Sequence, residues 1–208
     1  WARHWLDVAG YADSEGSNDA DKKREWAWKY RDWVIRSFNS DKPFNQFVAE
    51  QLAGDELAGP KKKNGEWTAK QIDLLTATGF LRMAADGTDL GNKPADRNQA
   101  IADTIQIVST SLLGLSVHCS RCHDHRYDPI PQTDYYALKA VFAPALDWQK
   151  WRTPRYRLLD LYTEADRKKA AVIEVEARNA MKAMKAREAK YMAQALKHEL
   201  DKYDEPLR

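Results

Sequence analysis

Both cysteines of this 208-residue chain fall in one short run, His118-Cys119-Ser120-Arg121-Cys122-His123-Asp124-His125. Two thiols three residues apart can each add to a vinyl group of a haem. The adjacent imidazole can then donate a nitrogen to the iron from beneath the ring. These residues point to one covalent haem c on Cys119, Cys122 and His123, with His123 as the proximal ligand. Three other chemistries compete for them. A structural zinc site needs four ligands at workable spacing, but there is no second Cys pair, and His118 and His125 crowd the same segment. A thioredoxin-like dithiol needs a strand–helix scaffold that a helical chain lacks. A plain disulfide leaves His123 unexplained.

The sixth position on the iron decides what a haem here could do. His125 lies two residues from His123 and cannot easily reach the opposite face of the ring, so its expected role is hydrogen bonding to a propionate or to the backbone of its own segment. His118 is tethered by Cys119 in the same way. His4, between Trp1 and Trp5, is the favoured distal ligand, set against the reading that it is a satisfied core histidine. Met83 is the alternative and would raise the potential relative to two histidines. An open site is the third option. His198 falls on a charged helix and is expected to face solvent. Arg121, Arg126 and Tyr127 flank the motif and could meet haem propionates, although such arginines are more often exposed or paired with nearby Asp. Asp124 and Asp128 suit calcium chemically, but two acids are few for a site, and Asp128-Pro129 also reads as a turn.

The elements that must position these residues read as helices. Trp1, Trp5 and Val8 form one helical face, and Tyr11 to Arg24 is a polar loop. Helical spacing resumes over Glu25 to Phe38. Asp41 is expected to cap the next helix, Phe44 to Leu52, with Pro43 in its first turn and Phe44, Phe47, Val48 and Leu52 buried. Residues 59–65, with three lysines, form an exposed connection. Thr68 caps a helix through Ile72, Leu75 and Phe80 toward Met83, and a loop follows over Asp86 to Pro94. Ala95 to Leu115 is the clearest buried helix, with Ile101, Ile105, Val108, Leu112 and Leu115 three or four apart, and it leads directly into the cysteines. Thr133 is expected to cap Tyr135 to Phe142, and Trp148 to Leu161 reads as an irregular crossing. From Thr163 to about Tyr203 the chain has no Gly or Pro, which predicts a helix roughly 60 Å long at 1.5 Å per residue. Its narrow stripe of Ile173, Ala177, Ala180, Met184, Tyr191 and Ala195 suits an antiparallel partner or a coiled-coil seam.

The fold class is therefore all-α: a compact helical c-type haem domain followed by a long C-terminal helix. The expected divisions are a haem-binding domain at 1–150, an irregular connection at 151–162 and the charged helix at 163–208. A net charge of +2 argues against a dedicated nucleic-acid binder, and no stretch approaches the roughly 20 apolar residues of a membrane span. Eight Trp and nine Tyr imply aromatic packing, with some rings available to wall a flat cofactor. The chain opens on Trp1 within a helical pattern, which suggests a piece of a larger protein.

Several segments carry a family resemblance. They are Trp1-Ala-Arg-His-Trp-Leu-Asp-Val-Ala, Tyr30-Arg-Asp-Trp-Val-Ile, Asp41-Lys-Pro-Phe-Asn-Gln-Phe, Glu50-Gln-Leu-Ala-Gly-Asp, Thr78-Gly-Phe-Leu-Arg-Met and Cys119-Ser-Arg-Cys-His-Asp-His-Arg-Tyr-Asp-Pro-Ile. In combination, over about Trp1 to Trp151, they resemble the planctomycete cytochrome-type proteins that contain the "domain of unknown function 1549". The resemblance implies export and a multidomain parent, with a further cytochrome-like segment before this region and another uncharacterised domain after it. Covalent haem also implies an extracytoplasmic protein, periplasmic or secreted. The leading expectation is an electron-transfer cytochrome with a redox partner protein. The second is a haem enzyme of peroxidase-like or other oxidoreductase type, with His4, Arg3 and Arg31 near an open iron. The third is a scaffold with a structural haem, its long helix recruiting a partner or self-associating.

Overall fold

A computed structural model describes residues 1–16, 21–61, 65–90, 93–147 and 149–203. Residues 62–64 of the basic connection, Trp148 at the start of the expected crossing and the last five residues of the C-terminal segment lie outside that set. The regular elements among the described residues are all helices, with no strand. No helix among them is long and apolar enough to cross a membrane. The chain divides into a compact unit, Trp1–Asp160, and a second unit, Leu161–Arg208.

The first unit contains α1 (Ala2–Val8), α2 (Ala27–Asn39), α3 (Phe44–Ala58), α4 (Ala69–Ala77), α5 (Pro94–Leu113) and α6 (Gln132–Phe142), with short 3-10 turns between α4 and α5 and between α5 and α6. Aromatic residues at helical spacing build the core between α1, α2 and α3. Phe47 is its hub, stacked on Trp33 at 5.1 Å between centroids and met edge-on by Trp5 at 4.9 Å and Phe38 at 5.4 Å. Such ring pairs contribute about 0.5–1.5 kcal/mol each beyond the area they bury. The polar ends of two rings are satisfied inside this core: Trp5 Nε1 donates to Gln51 Oε1 at 3.1 Å and Tyr30 Oη donates to the same oxygen at 2.6 Å. Gly54 lets α3 lie directly on α4, since a Cβ there would stand 2.2 Å from the Leu74 carbonyl oxygen. Met83 and Val108 complete this first cluster.

A second cluster of Ala100, Ile101, Ile105, Val117, Tyr135, Leu146 and Trp151 joins α5 and α6 to the segment that carries the cysteines. Trp151 is therefore core, although it lies in an irregular crossing. Its indole donates to Thr88 Oγ1 at 3.2 Å and lies under the Arg157 guanidinium at 4.3 Å. Arg157 in turn pairs with the buried Asp86.

Several expected boundaries move. Asp41 does not cap α3; it sits in left-handed backbone at φ 52°, a region Asp tolerates better than most residues, and it ends α2 instead. Pro43 is the residue before α3 rather than in its first turn, and Phe44 is exposed. Thr68 does cap α4, in a box where its hydroxyl accepts from Gln71 N and the Gln71 side chain accepts in return. That helix stops at Ala77 and tightens into a 3-10 turn, Thr78–Arg82, where Gly79 packs against the Tyr30 ring.

The second unit contains α7, Glu164–Leu200, 37 residues with no buried side chain. Thr163 and Asp166 form a capping box at its start. Ile173, Met184 and Tyr191 of the expected stripe are all exposed.

Candidate functional site

The geometry of the cysteine segment begins with the way α5 ends. Gly114 adopts left-handed backbone (φ 66°, ψ 17°) and reverses the chain, which glycine does without steric cost. Val117–Arg121 then forms a 3-10 turn. With three residues per turn, positions three apart share a side. Val117 and Ser120 accordingly face inward: Val117 joins the second cluster, and Ser120, fully buried, donates to the Ile130 carbonyl at 3.0 Å. Cys119 and Cys122, with the same spacing, are both exposed free thiols. The turn thus anchors one side of the segment and presents the two sulfurs outward.

His123 follows, also exposed. Its Nδ1 lies 2.6 Å from the Asp124 carbonyl oxygen. A carbonyl only accepts, so Nδ1 carries a proton, and in the neutral ring the lone pair is then on Nε2. That is the tautomer an Nε2 metal ligand requires, and the Nδ1–H···O contact makes the ring more basic.

The rest of the segment is held by polar contacts. The Arg121 carbonyl accepts from Gln132 Nε2 at 3.0 Å and Tyr136 Oη at 3.2 Å, and its guanidinium donates to Gln99 Oε1 on α5 at 2.9 Å. Asp124 Oδ1 accepts the Gln132 N–H at 2.7 Å. Asp124, not Thr133, therefore serves the start of α6, and an acid at a helix N-terminus also suits the dipole there. His125 packs inward, with Nε2 3.0 Å from Ser116 Oγ. His118 Nε2 stands 3.6 Å from Cys119 Sγ, while its Nδ1 is buried without a hydrogen-bond partner among the described residues. Asp103 on α5 has its carboxyl pushed up by burial, an effect that Gln99, Arg121 and His118 oppose.

The other expected site residues lie elsewhere. Met83 is 5% exposed in the first cluster, its carbonyl held by Arg24 Nη1 at 3.0 Å. His4 is exposed on α1, edge-on to Trp1 at 6.0 Å. Neither belongs to the cluster that anchors the cysteine turn. Arg31 pairs with Asp32 at 2.9 Å, and His198 is exposed on α7 near Glu199. Arg126 lies over the Tyr127 ring, which is 83% exposed. Among the described residues no three His, Cys, Asp or Glu side chains come together as a metal-holding group, so neither a four-ligand zinc centre nor a carboxylate cage for calcium is assembled there. Gln99, Ser116, Gln132 and Tyr136 are the residues that sequence reasoning missed. Gln99 reaches the segment from α5 and Gln132 and Tyr136 from α6, while Ser116, at the start of the turn, meets His125 nine residues along the chain.

Residues 1–146 match the model of the family described as "PSCyt2: Protein of unknown function (DUF1549)". The chain belongs to this family. The DUF1549 match takes in α1 to α6 and the whole cysteine segment, and leaves α7 outside it. No curated protein and no solved structure matches this DUF1549 member.

Proposed function

We propose that this chain is a c-type cytochrome domain that carries one haem on Cys119, Cys122 and His123. In this reading it transfers electrons outside the cytoplasm as part of a larger redox protein. One observation carries the reading: a single anchored turn presents two free thiols outward beside an exposed imidazole whose Nδ1 is held by the Asp124 carbonyl, which turns Nε2 to the ligand role. The surroundings also suit an apolar macrocycle. Leu113 and Leu115 before the turn, Tyr127 after it and Tyr136 beside it are all exposed. The haem, when bound, supplies a one-electron iron couple.

The chain's own residues do the rest. Cys119 and Cys122 fix the cofactor through thioethers, and His123 offers Nε2 to the metal. The Asp124 carbonyl holds the His123 proton on Nδ1, and Val117 and Ser120 keep the turn on the second cluster. His4 remains the favoured source of the sixth ligand because it is already exposed. Met83 is second, since its sulfur would have to leave the first cluster. A haem enzyme with an open iron is the second reading, favoured by the separation of both candidates from the cluster beneath the cysteine turn. The electron-transfer reading implies a redox partner protein. The exposed stripe of α7 supports contacts with other parts of a larger parent, or with a second copy.

Absorbance spectra of the exported protein, oxidised, reduced and reduced under carbon monoxide, separate the readings. A c-type spectrum that ignores carbon monoxide is expected. Ready carbon monoxide binding would favour the enzyme reading, and the absence of any haem spectrum would overturn both.

A further inference from the structure

We propose that His125 is a positioning residue for His123: with an unprotonated Nδ1 it closes the 124–130 loop and so fixes the peptide that orients the iron ligand. The inference rests on the haem reading above. His125 Nδ1 receives two backbone N–H groups, from Tyr127 at 3.2 Å and Asp128 at 2.9 Å. A nitrogen that accepts two N–H donors cannot hold a proton of its own. The ring proton is therefore on Nε2, where it meets Ser116 Oγ at 3.0 Å. The Asp128 carboxylate, 3.4 Å from the same Nδ1, is a neighbour of this arrangement and not an ion-pair partner, because an ion pair would need the proton that the two amides exclude.

The consequence passes along the backbone. The N–H of His125 donates to the Ile130 carbonyl at 2.9 Å, and Ile130 N returns to the Asp128 carbonyl at 2.8 Å. The peptide unit between Asp124 and His125 is thereby held in one orientation. Its other end is the Asp124 carbonyl that accepts from His123 Nδ1. Since a peptide is planar, fixing its N–H fixes where its oxygen points. His125 acts through two contacts, as acceptor for the loop amides and donor to Ser116 on the segment leaving α5. The loop is thus preorganised by the chain itself, and the tautomer of the iron ligand is set before any cofactor arrives.

The test compares wild type with His125→Ala, His125→Asn and His125→Gln in the full chain. An Asn amide oxygen falls near the place of Nδ1, whereas Gln reaches toward the place of Nε2. Hydrogen exchange of the haem-free protein reads the amides of Tyr127 and Asp128. Redox titration of the exported, haem-loaded protein reads the ligand. The expected result is that His125→Ala loses protection at both amides and moves the potential positive, as the His123 ring loses its Nδ1–H contact and becomes a weaker donor to ferric iron. His125→Asn should restore both readings and His125→Gln neither. Equal potentials in wild type and His125→Ala, with haem attached to both, would overturn the inference and leave the cytochrome reading standing. Indistinguishable behaviour of all three variants would also overturn it, because only bulk packing would then be involved. A wild-type chain that takes no haem would sink the cytochrome reading and this inference with it, and is read separately by absorbance.

Discussion

The aromatic core around Phe47 and the segment around Cys119 are built on opposite plans. Phe47, Trp33 and Tyr30 are buried almost completely and held by ring contacts. The cysteine segment buries Val117 and Ser120, packs His125 inward, and is otherwise tied by hydrogen bonds from Gln99, Gln132, Tyr136 and Ser116. Apolar packing supplies most of the stability of a domain of this size, because each large ring removes much area from water. Hydrogen bonds supply less net energy but fix direction. The difference separates stability from chemistry: one region makes the fold, and the other aims three exposed side chains.

That division can be broken by substitution. Phe47→Ala removes the hub ring and should cost about 3–5 kcal/mol, seen as a large fall in the urea midpoint; a fall of a few tenths would place the core elsewhere. Gly54→Ala drives a methyl group onto the Leu74 carbonyl and should cost about 1–3 kcal/mol, as overpacking does. Full stability in that variant would mean α3 and α4 are free to separate. Tyr30→Phe probes the polar part of the same core. Burial raises the Tyr30 hydroxyl above its ordinary value, and burial with the Asp13 contact raises Tyr11 to about 12. Folded chains then keep protons that unfolded chains release above about pH 10, so stability should fall as pH rises from 10 toward 12. Urea midpoints at pH 8 and pH 11 should show this fall in wild type and a smaller one in Tyr30→Phe.

Smaller effects sharpen the contrast. Thr163→Ala removes the capping box of α7 and should cost about 1 kcal/mol locally, visible as lost helix signal on heating without a shift in the main unfolding transition. Replacing Cys119 and Cys122 together by Ser in the haem-free protein should change global stability by no more than about 0.5 kcal/mol, because both side chains are exposed. A large loss there would show that the thiols belong to the core and would erase the distinction between the two regions.

The sequence made some of this legible and hid the rest for physical reasons. The courses of α1, α5 and α7 follow from regular apolar spacing or from an uninterrupted run of helix formers. Thr68 announces α4 because its partner Gln71 is three residues away. The start of α6 is misread because the side chain that meets Gln132 N–H is Asp124, eight residues earlier, where no local pattern points to it. Phe44 follows the spacing of a buried face yet is exposed, since Phe47 alone takes the hub position. Cys119, Cys122 and His123 stand out by type and spacing. Gln99 and Tyr136 do not, because a polar residue on a helix carries no mark of the backbone carbonyl or guanidinium it will meet.

Intact-mass measurement of the exported chain, produced with a haem-attachment apparatus, tests the central claim most directly. The cytochrome reading expects the mass of the chain plus one haem, stable to denaturation and to acid extraction, and lost when Cys119 and Cys122 are both replaced. A bare chain mass with two reactive thiols, from cells that load another c-type protein normally, would contradict it.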